Sequence, residues 1–464
     1  MLLAAGVVFG PGVLPAAAVD SIRDQQWHLD VMKASDMWKT SKGQGVTVAV
    51  IDSGFKLDHP DLAGQLLPGK DFSGLPGGIG SYAEGHGTAM ASLIAGSGKG
   101  MAGKGAYGLA PGAKILPLKI KNGSDGGAVT SSELLGQIGQ AVTYAADQGA
   151  RVINISQGIS ATRTFPDDVA NLNSVIAHAN AKGALVVSSV GNSAQSGNPV
   201  EYPGGLPHVV GVGAADQKGI ATTESEQGAQ VDLVAPGTDM YGACTGPSGY
   251  CKSHGTSDAA AIVSASAALV WAVHPDWTPN QVLRVLINTA GKPTDGSGRN
   301  DAVGYGVVRP RIALTEPGDP GPADLYPIAE QPVGGPTSSA LPTPSVSETP
   351  SAAASAGSGA APAEDSTPVG SPVAQPEADG VSGSGSVVPL VVAVVVGLVL
   401  VAGVVFFVVR RRSAARQVAV VPPVGYPQGQ GQGQGQGQLP SEGGPGAPPS
   451  YGPSAPPSDN PYAR

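Results

Sequence analysis

The sequence predicts an α/β layered domain on a mainly parallel sheet, and three observations predict it. Apolar, β-rich runs without alternation recur at 46–51 (Val-Thr-Val-Ala-Val-Ile), 152–155 (Val-Ile-Asn-Ile) and 184–187 (Ala-Leu-Val-Val). Such runs read as strands buried on both faces. Helical patterns lie between them at 88–95, 131–148 and 166–182, and strands alternating with helices are the mark of a layered sheet. In sheets of this kind ligands sit beyond the carboxyl ends of the strands, so the residues that follow each run are the first candidates for a site.

The rest of the 464-residue chain is organised around that domain. Residues 1–18 are apolar and close on Ala16-Ala17-Ala18, which reads as a signal-peptide core and a small-residue cleavage site. The basic stretch that usually precedes such a core is missing, and the true start is expected upstream. An N-terminal extension follows at 19–45 and the folded domain at 46–314. At 315–386 the composition turns to Pro, Ala, Ser and Gly with acidic residues and no Lys or Arg. That segment cannot build a core, and as a flexible coil it spans roughly 50 Å. Residues 387–409 are continuously apolar, long enough to cross a bilayer. Arg410-Arg411-Arg412 follows, and Arg311 is the last basic residue before it, so the positive-inside rule puts 410–464 in the cytoplasm and the domain outside. The tail carries Gln-Gly repeats and Pro-rich sequence with no packing pattern.

Formal net charge is −9, and no dense Lys/Arg patch marks the domain, which argues against nucleic-acid binding. The two cysteines, Cys244 and Cys251, stand close together in a Gly/Pro/Ser loop, where an exported protein is expected to bridge them. Closing so short a loop would contribute about 2.5 kcal/mol in the chain-entropy picture.

Five fragments carry candidate chemistry. Ser253-His254-Gly255-Thr256-Ser257 runs into Asp258 and an Ala-rich apolar stretch, reading as a tight turn that opens a buried helix. A serine on that first turn sits among unpaired backbone N–H groups that stabilise negative charge; a plain helix cap is the competing reading. Asp52 ends the run 46–51, where a turn-forming role competes. His86 opens a helix between Gly85 and Gly87; a neutral imidazole there could accept a serine proton and return it to a leaving amine. Asn192 follows the run near 184–187 in a Gly-Asn turn, and its amide could donate to an oxyanion. Ser156-Gln157-Gly158 ends another strand, where exposed backbone can pair with an extended peptide.

In chain order Asp52, His86, Asn192 and Ser257 resemble the subtilisin-like serine proteases, the subtilases. Ile51-Asp52-Ser53-Gly54, His86-Gly87-Thr88 and Gly255-Thr256-Ser257 match the family's three catalytic blocks, and Gly191-Asn192 matches its oxyanion block. The order Asp, His, Ser is the one known for subtilisin. The resemblance covers about residues 27–314 and implies the subtilisin-like three-layer fold. It implies Ser257 as nucleophile, His86 as general base and then acid, and Asp52 as the carboxylate that orients the imidazole. Asn192 and the Ser257 N–H would form the oxyanion hole, with Ser156, Gln157 and Gly158 binding substrate.

Within that family the chain is similar to the mycosins, membrane-anchored proteases of type VII secretion, through Gln26-Trp27-His28-Leu29-Asp30 and the single C-terminal span after a Pro-rich linker. The segment before the first strand is too short for a folding prodomain, and is expected to stay attached and pack on the domain. The chain departs from the family pattern at Asp258, where an apolar or aromatic residue is usual, at Ala261, where proline is usual, and at Gln157, where leucine is frequent. Asp258 opposes the oxyanion if it points inward and favours the helix start if it points outward. The function expected is a membrane-anchored serine endopeptidase acting on exported proteins; the alternative is a structural component of a secretion complex with little or no activity. No cofactor is required by that chemistry and no metal ligand set is assigned. Structural calcium, frequent in the family, has candidate carboxylates in Asp58 and Asp61 without diagnostic spacing.

Overall fold

The structure, a computed structural model, describes residues 21–125, 128–328 and 460–462. The predicted signal sequence, the span at 387–409, most of the linker and all but three residues of the tail lie outside the described residues.

Seven parallel strands form the central sheet: β1 Thr47–Asp52, β2 Lys70–Asp71, β3 Lys114–Lys119, β4 Val152–Ile155, β5 Leu185–Ser189, β6 Val209–Ala215 and β7 Leu233–Pro236. Their order is β2-β3-β1-β4-β5-β6-β7. The direction of strand addition reverses at β1, so the crevice beyond its carboxyl end is the expected ligand position.

Helices cover both faces, which explains the unbroken apolar runs. Side chains alternate across a strand, and β1 divides accordingly. Val48 and Val50 join the cluster with α1 His86–Ala95 and α4 Thr256–Val273, whereas Ala49 and Ile51 join the cluster with α2 Ser131–Asp147 and α3 Pro166–Ala181. Local chemistry sets the helix starts. Thr130 caps α2 by accepting from the Glu133 N–H, and Pro166 sits at the first position of α3, where its missing N–H costs nothing. The predicted bounds differ from these helices by one or two residues.

Helix α4 is apolar on all sides. Its 18 residues and mean hydropathy of 1.4 would suit a membrane, but 89 % of it is buried inside the domain. It is the core helix, and α5 Pro279–Asn288 and α6 Pro310–Thr315 close over it.

The N-terminal extension packs on the domain, with Leu29, Met32 and Met37 in the core. Gln26 is fully buried and uses its whole amide: Nε2 donates to the carbonyls of Tyr107 (2.8 Å) and Tyr241 (2.9 Å), and Oε1 accepts from the Tyr107 N–H (2.9 Å). Trp27 Nε1 donates to the Thr238 carbonyl at 2.8 Å, and Ser41 Oγ to that of Leu269 at 2.8 Å. His28 is buried with both ring nitrogens unpartnered. Burial, then the nearby Arg23 charge, holds its pKa down to about 3. The unfolded chain therefore takes a proton there first, and stability falls as pH drops below about 6.5.

Cys244 and Cys251 form a disulfide with Cα atoms 5.7 Å apart. It staples the antiparallel ribbon Met240–Ala243 with Tyr250–Ser253, which leads directly into the turn before α4.

Three tail residues also touch the domain. Tyr462 is fully buried; its ring meets Trp27 edge-on at 6.1 Å and its hydroxyl donates to the Asp216 carbonyl. Asn460 Nδ2 donates to the Val31 carbonyl at 3.1 Å. The sequence reading places 410–464 across a bilayer from the domain; the structure sets 460–462 against it.

Gln26→Ala strands three backbone groups at once and is expected to cost at least about 2 kcal/mol. That is a fall of roughly 4–8 °C in melting temperature by calorimetry; an unchanged midpoint would show that the Gln26 hydrogen bonds contribute nothing net to the fold.

Candidate active site

Asp52 closes β1 at the crevice and is fully buried. A buried carboxylate needs donors, and it has four. The Ser53 N–H (2.7 Å), Ser53 Oγ (3.2 Å) and Gln157 Nε2 (3.2 Å) all donate to Oδ1. His86 Nδ1 lies 2.9 Å from both carboxylate oxygens. His86 is the first residue of α1, and Gly87 brings that helix onto the strand end. A Cβ at Gly87 would come within 2.5 Å of the Gly54 carbonyl and 3.0 Å of Asp52 Cβ, so a larger residue would push the imidazole off its carboxylate.

The His86 side chain keeps 29 % of its surface exposed. Burial disfavours its charged form, but the Asp52 charge and hydrogen bond, followed by the charges of Asp258 and Glu84, raise its pKa to about 9. Two partners of this pair went unseen in the sequence: Glu84, which accepts from Asn122 Nδ2 at 2.7 Å, and Gln157, which donates to Asp52 and was expected only to line a substrate pocket.

Ser257 stands on the first turn of α4. Its Oγ donates to the Ser156 carbonyl at 3.4 Å, and Ser156 Oγ returns a bond to the Ser257 carbonyl at 3.3 Å. The turn needs Gly255, which has φ +125 and whose absent Cβ would lie 3.0 Å from the Asn192 amide. Asn192 Oδ1 accepts from the Thr256 N–H at 2.8 Å and from Thr256 Oγ1 at 3.0 Å. With its oxygen held, the amide has its NH₂ end available as a donor beside the start of α4, where the helix N-terminus also favours an anion. The structure thus brings Asp52, His86, Asn192, Ser257 and the segment Ser156-Gln157-Gly158 to one crevice.

Asp258 points inward. It is 1 % exposed and accepts from Ser253 Oγ. Burial raises its pKa to about 6, against the Ser253 hydrogen bond and the charges of His86 and His254. The two calcium candidates do not share a site. Asp61 is buried with its oxygens taken by the N–H groups of Gly100 (2.6 Å) and Ala106 (2.9 Å), whereas Asp58 is 85 % exposed beside Lys56. Among the described residues no group of three or more His, Cys, Asp or Glu is placed to hold a metal.

Comparisons with known proteins follow the geometry. The profile of the subtilase family matches residues 43–306. Mycosin-1 of Mycobacterium tuberculosis is 32 % identical over 355 residues, 68 % of this chain and 77 % of that protein. Subtilisin Savinase of Lederbergia lenta is 34 % identical over 272 residues, 58 % of this chain and 91 % of that one. Among solved structures, MycP1 from the ESX-1 type VII secretion system superposes with a TM-score of 0.58 at 30 % identity, over 68 % of this chain and 91 % of that chain. MycP1 from Mycobacterium smegmatis gives a TM-score of 0.58 at 29 % identity, over 69 % and 92 %.

The His86 pKa has a sign that can be checked. Raised from 6.5 to about 9, it contributes stability present in full below pH 6.5 and lost as pH rises through about 9. An NMR titration of the ring is expected to give a midpoint near 9, and Asp258→Asn to lower it by removing one anion. A wild-type midpoint at or below 6.5 would contradict the charge arrangement.

Proposed function

The chain belongs to the subtilase family and is a subtilisin-like serine endopeptidase; from that premise we propose that Ser257 is its nucleophile, with His86, Asp52 and Asn192 completing the machinery. The observation that carries the assignment is the buried Asp52 carboxylate fixed on His86 Nδ1, in the crevice that also receives Ser257. Asp52 holds the Nδ1–H tautomer, which leaves Nε2 to take the Ser257 proton. The Oγ turns from the Ser156 carbonyl, attacks the scissile carbonyl carbon, and the resulting oxyanion is held by Asn192 Nδ2 and the Ser257 N–H. His86 then protonates the leaving amine, the acyl-enzyme forms, and water repeats the sequence to release the acid. The backbone of Ser156-Gln157-Gly158 pairs with the extended substrate. Each step uses groups of this chain, and no cofactor is assigned to any of them.

The buried anion Asp258 favours the imidazolium over the neutral base. Only a small fraction of His86 is unprotonated at pH 7, and the rate is set to rise with pH.

The cellular setting proposed is export through residues 1–18 and anchoring through 387–409, with the domain outside the cytoplasm and 410–464 within it, an arrangement in which the contact of residues 460–462 with the domain is given up. Proteins exported by a type VII secretion system are the substrates. The similarity to mycosin-1 and to MycP1 from the ESX-1 system supports that setting, as does Arg410-Arg411-Arg412 after the apolar stretch.

A fluorophosphonate serine-hydrolase probe tests the machinery. Purified full chain is expected to label, and Ser257→Ala and His86→Ala to abolish labelling. Folded wild type that stays unlabelled would favour the structural-component reading. Asn192→Ala is expected to slow peptide hydrolysis by about 10²–10³, the figure known for the corresponding donor of subtilisin; a loss under tenfold would remove Asn192 from the oxyanion site.

A further inference from the structure

Beyond the nucleophile, the crevice continues into a cleft of about 360 Å³ lined by Gln157, Gly158, Ser193 and Glu201, with Arg163 among its other lining residues. A peptide whose carbonyl lies at Ser257 and whose backbone pairs with Ser156–Gly158 directs the side chain preceding the scissile bond into this space. Gly158 forms one near wall with Glu201 beside it, and Ser193 lines the cleft next to the buried Gly191, behind which stands Glu226. A Cβ at Gly158 would lie 3.1 Å from Glu201 Oε2, and one at Gly191 would lie 2.5 Å from the Glu226 carboxylate. Glu201 thus faces the cleft, and Glu226 lies behind its wall.

Glu226 is fully buried, and its carboxylate oxygens have no partner beyond the nearby Ser193 N–H. The ion pairs among the described residues include neither Glu201, Glu226 nor Arg163, and the Arg163 side chain is exposed. An ionised carboxylate left in this way is costly. Burial, and then the charge of Glu201, raises Glu226 to about 8, opposed only by the Ser193 N–H; burial also raises Glu201. A cation entering beside Glu201 would relieve the mutual repulsion of these two acids.

We propose that the residue immediately before the scissile bond is lysine or arginine, its cationic head seated against Glu201 beside Gly158, with the buried Glu226 behind the cleft wall as the second anion. The proposal rests on the reading of Ser257 as nucleophile, which fixes where that side chain enters. An apolar side chain in the same cleft would leave both acids unpaired, which gives discrimination of the strong kind, set by an unsatisfied polar group.

The test uses purified full chain and two readouts. The first is inactivation by peptidyl diphenyl phosphonates alike except for a terminal lysine- or phenylalanine-type residue. The lysine probe is expected to react at least tenfold faster, and Glu201→Gln with Glu226→Gln to collapse that ratio at least tenfold. The second is fluorescence-detected binding of p-aminobenzamidine, an arginine-like cation, to Ser257→Ala, which needs no chemistry. Binding is expected there, with Kd raised at least tenfold by the two Gln substitutions, or by Glu201→Gln alone if the double variant does not fold. A faster phenylalanine probe, a ratio unchanged by the substitutions, or no p-aminobenzamidine binding would overturn the proposal. Binding of p-aminobenzamidine by a wild type that no fluorophosphonate labels would uphold the acidic cleft and sink the nucleophile assignment instead.

Discussion

One buried charge governs this molecule. Asp52 has no exposed surface at the end of β1, and a carboxylate in that position survives only if its oxygens are satisfied. Ser53 supplies two donors from the turn that ends the strand, Gln157 one from the end of β4, and His86 the fourth from the start of α1. The requirement therefore ties three elements of the sheet and its helical layer to one point. That point is where strand order reverses, so the crevice and the charged pair coincide for topological reasons as much as chemical ones. The opposite side of the crevice is fixed by α4, which is buried almost throughout.

Much of the fold was legible because β1, β4 and β5 are buried on both faces and so read as unbroken apolar runs. Other strands were not. β3 begins and ends in lysine and contains Pro117, and β6 contains Gly211 and Gly213, residues that argue against a strand when read locally. The candidate triad was legible since each residue stands in a compact block beside a strand end or helix start. Contacts made across the chain were not. Gln157 reaches Asp52 from 105 positions away, and its sequence neighbours gave no hint of that. The direction of Asp258 was undecidable from sequence, because a residue in the first turn of a helix can face either way; packing against Ser253 decided it. Glu201 and Glu226 stand in none of the fragments singled out in the sequence; folding sets them beside Gly158 and Gly191.

The extension and the tail share a surface. Trp27 donates to Thr238 and also meets Tyr462, so the N-terminal segment forms part of the pocket that holds the tail. A chain whose residues 387–409 span a bilayer cannot place Tyr462 against its own domain, so that contact and the spanning topology exclude each other in one molecule. Insertion would empty an apolar pocket beside Trp27. The extension itself does not depend on the tail, because Gln26 and Ser41 are bonded into the domain by groups far from Tyr462.

The anions of the crevice act on the same proton. Asp52, Asp258 and Glu84 each raise the His86 pKa, which slows a general base at neutral pH even as it stabilises the imidazolium formed during attack. Without bound substrate the balance favours the charged, inactive ring. The acids of the cleft do not enter that balance: the charges that act on His86 are those of Asp52, Asp258 and Glu84. A cation paired with Glu201 and Glu226 is neutralised where it sits, so substrate selection and the proton affinity of the base are set by separate groups of one crevice.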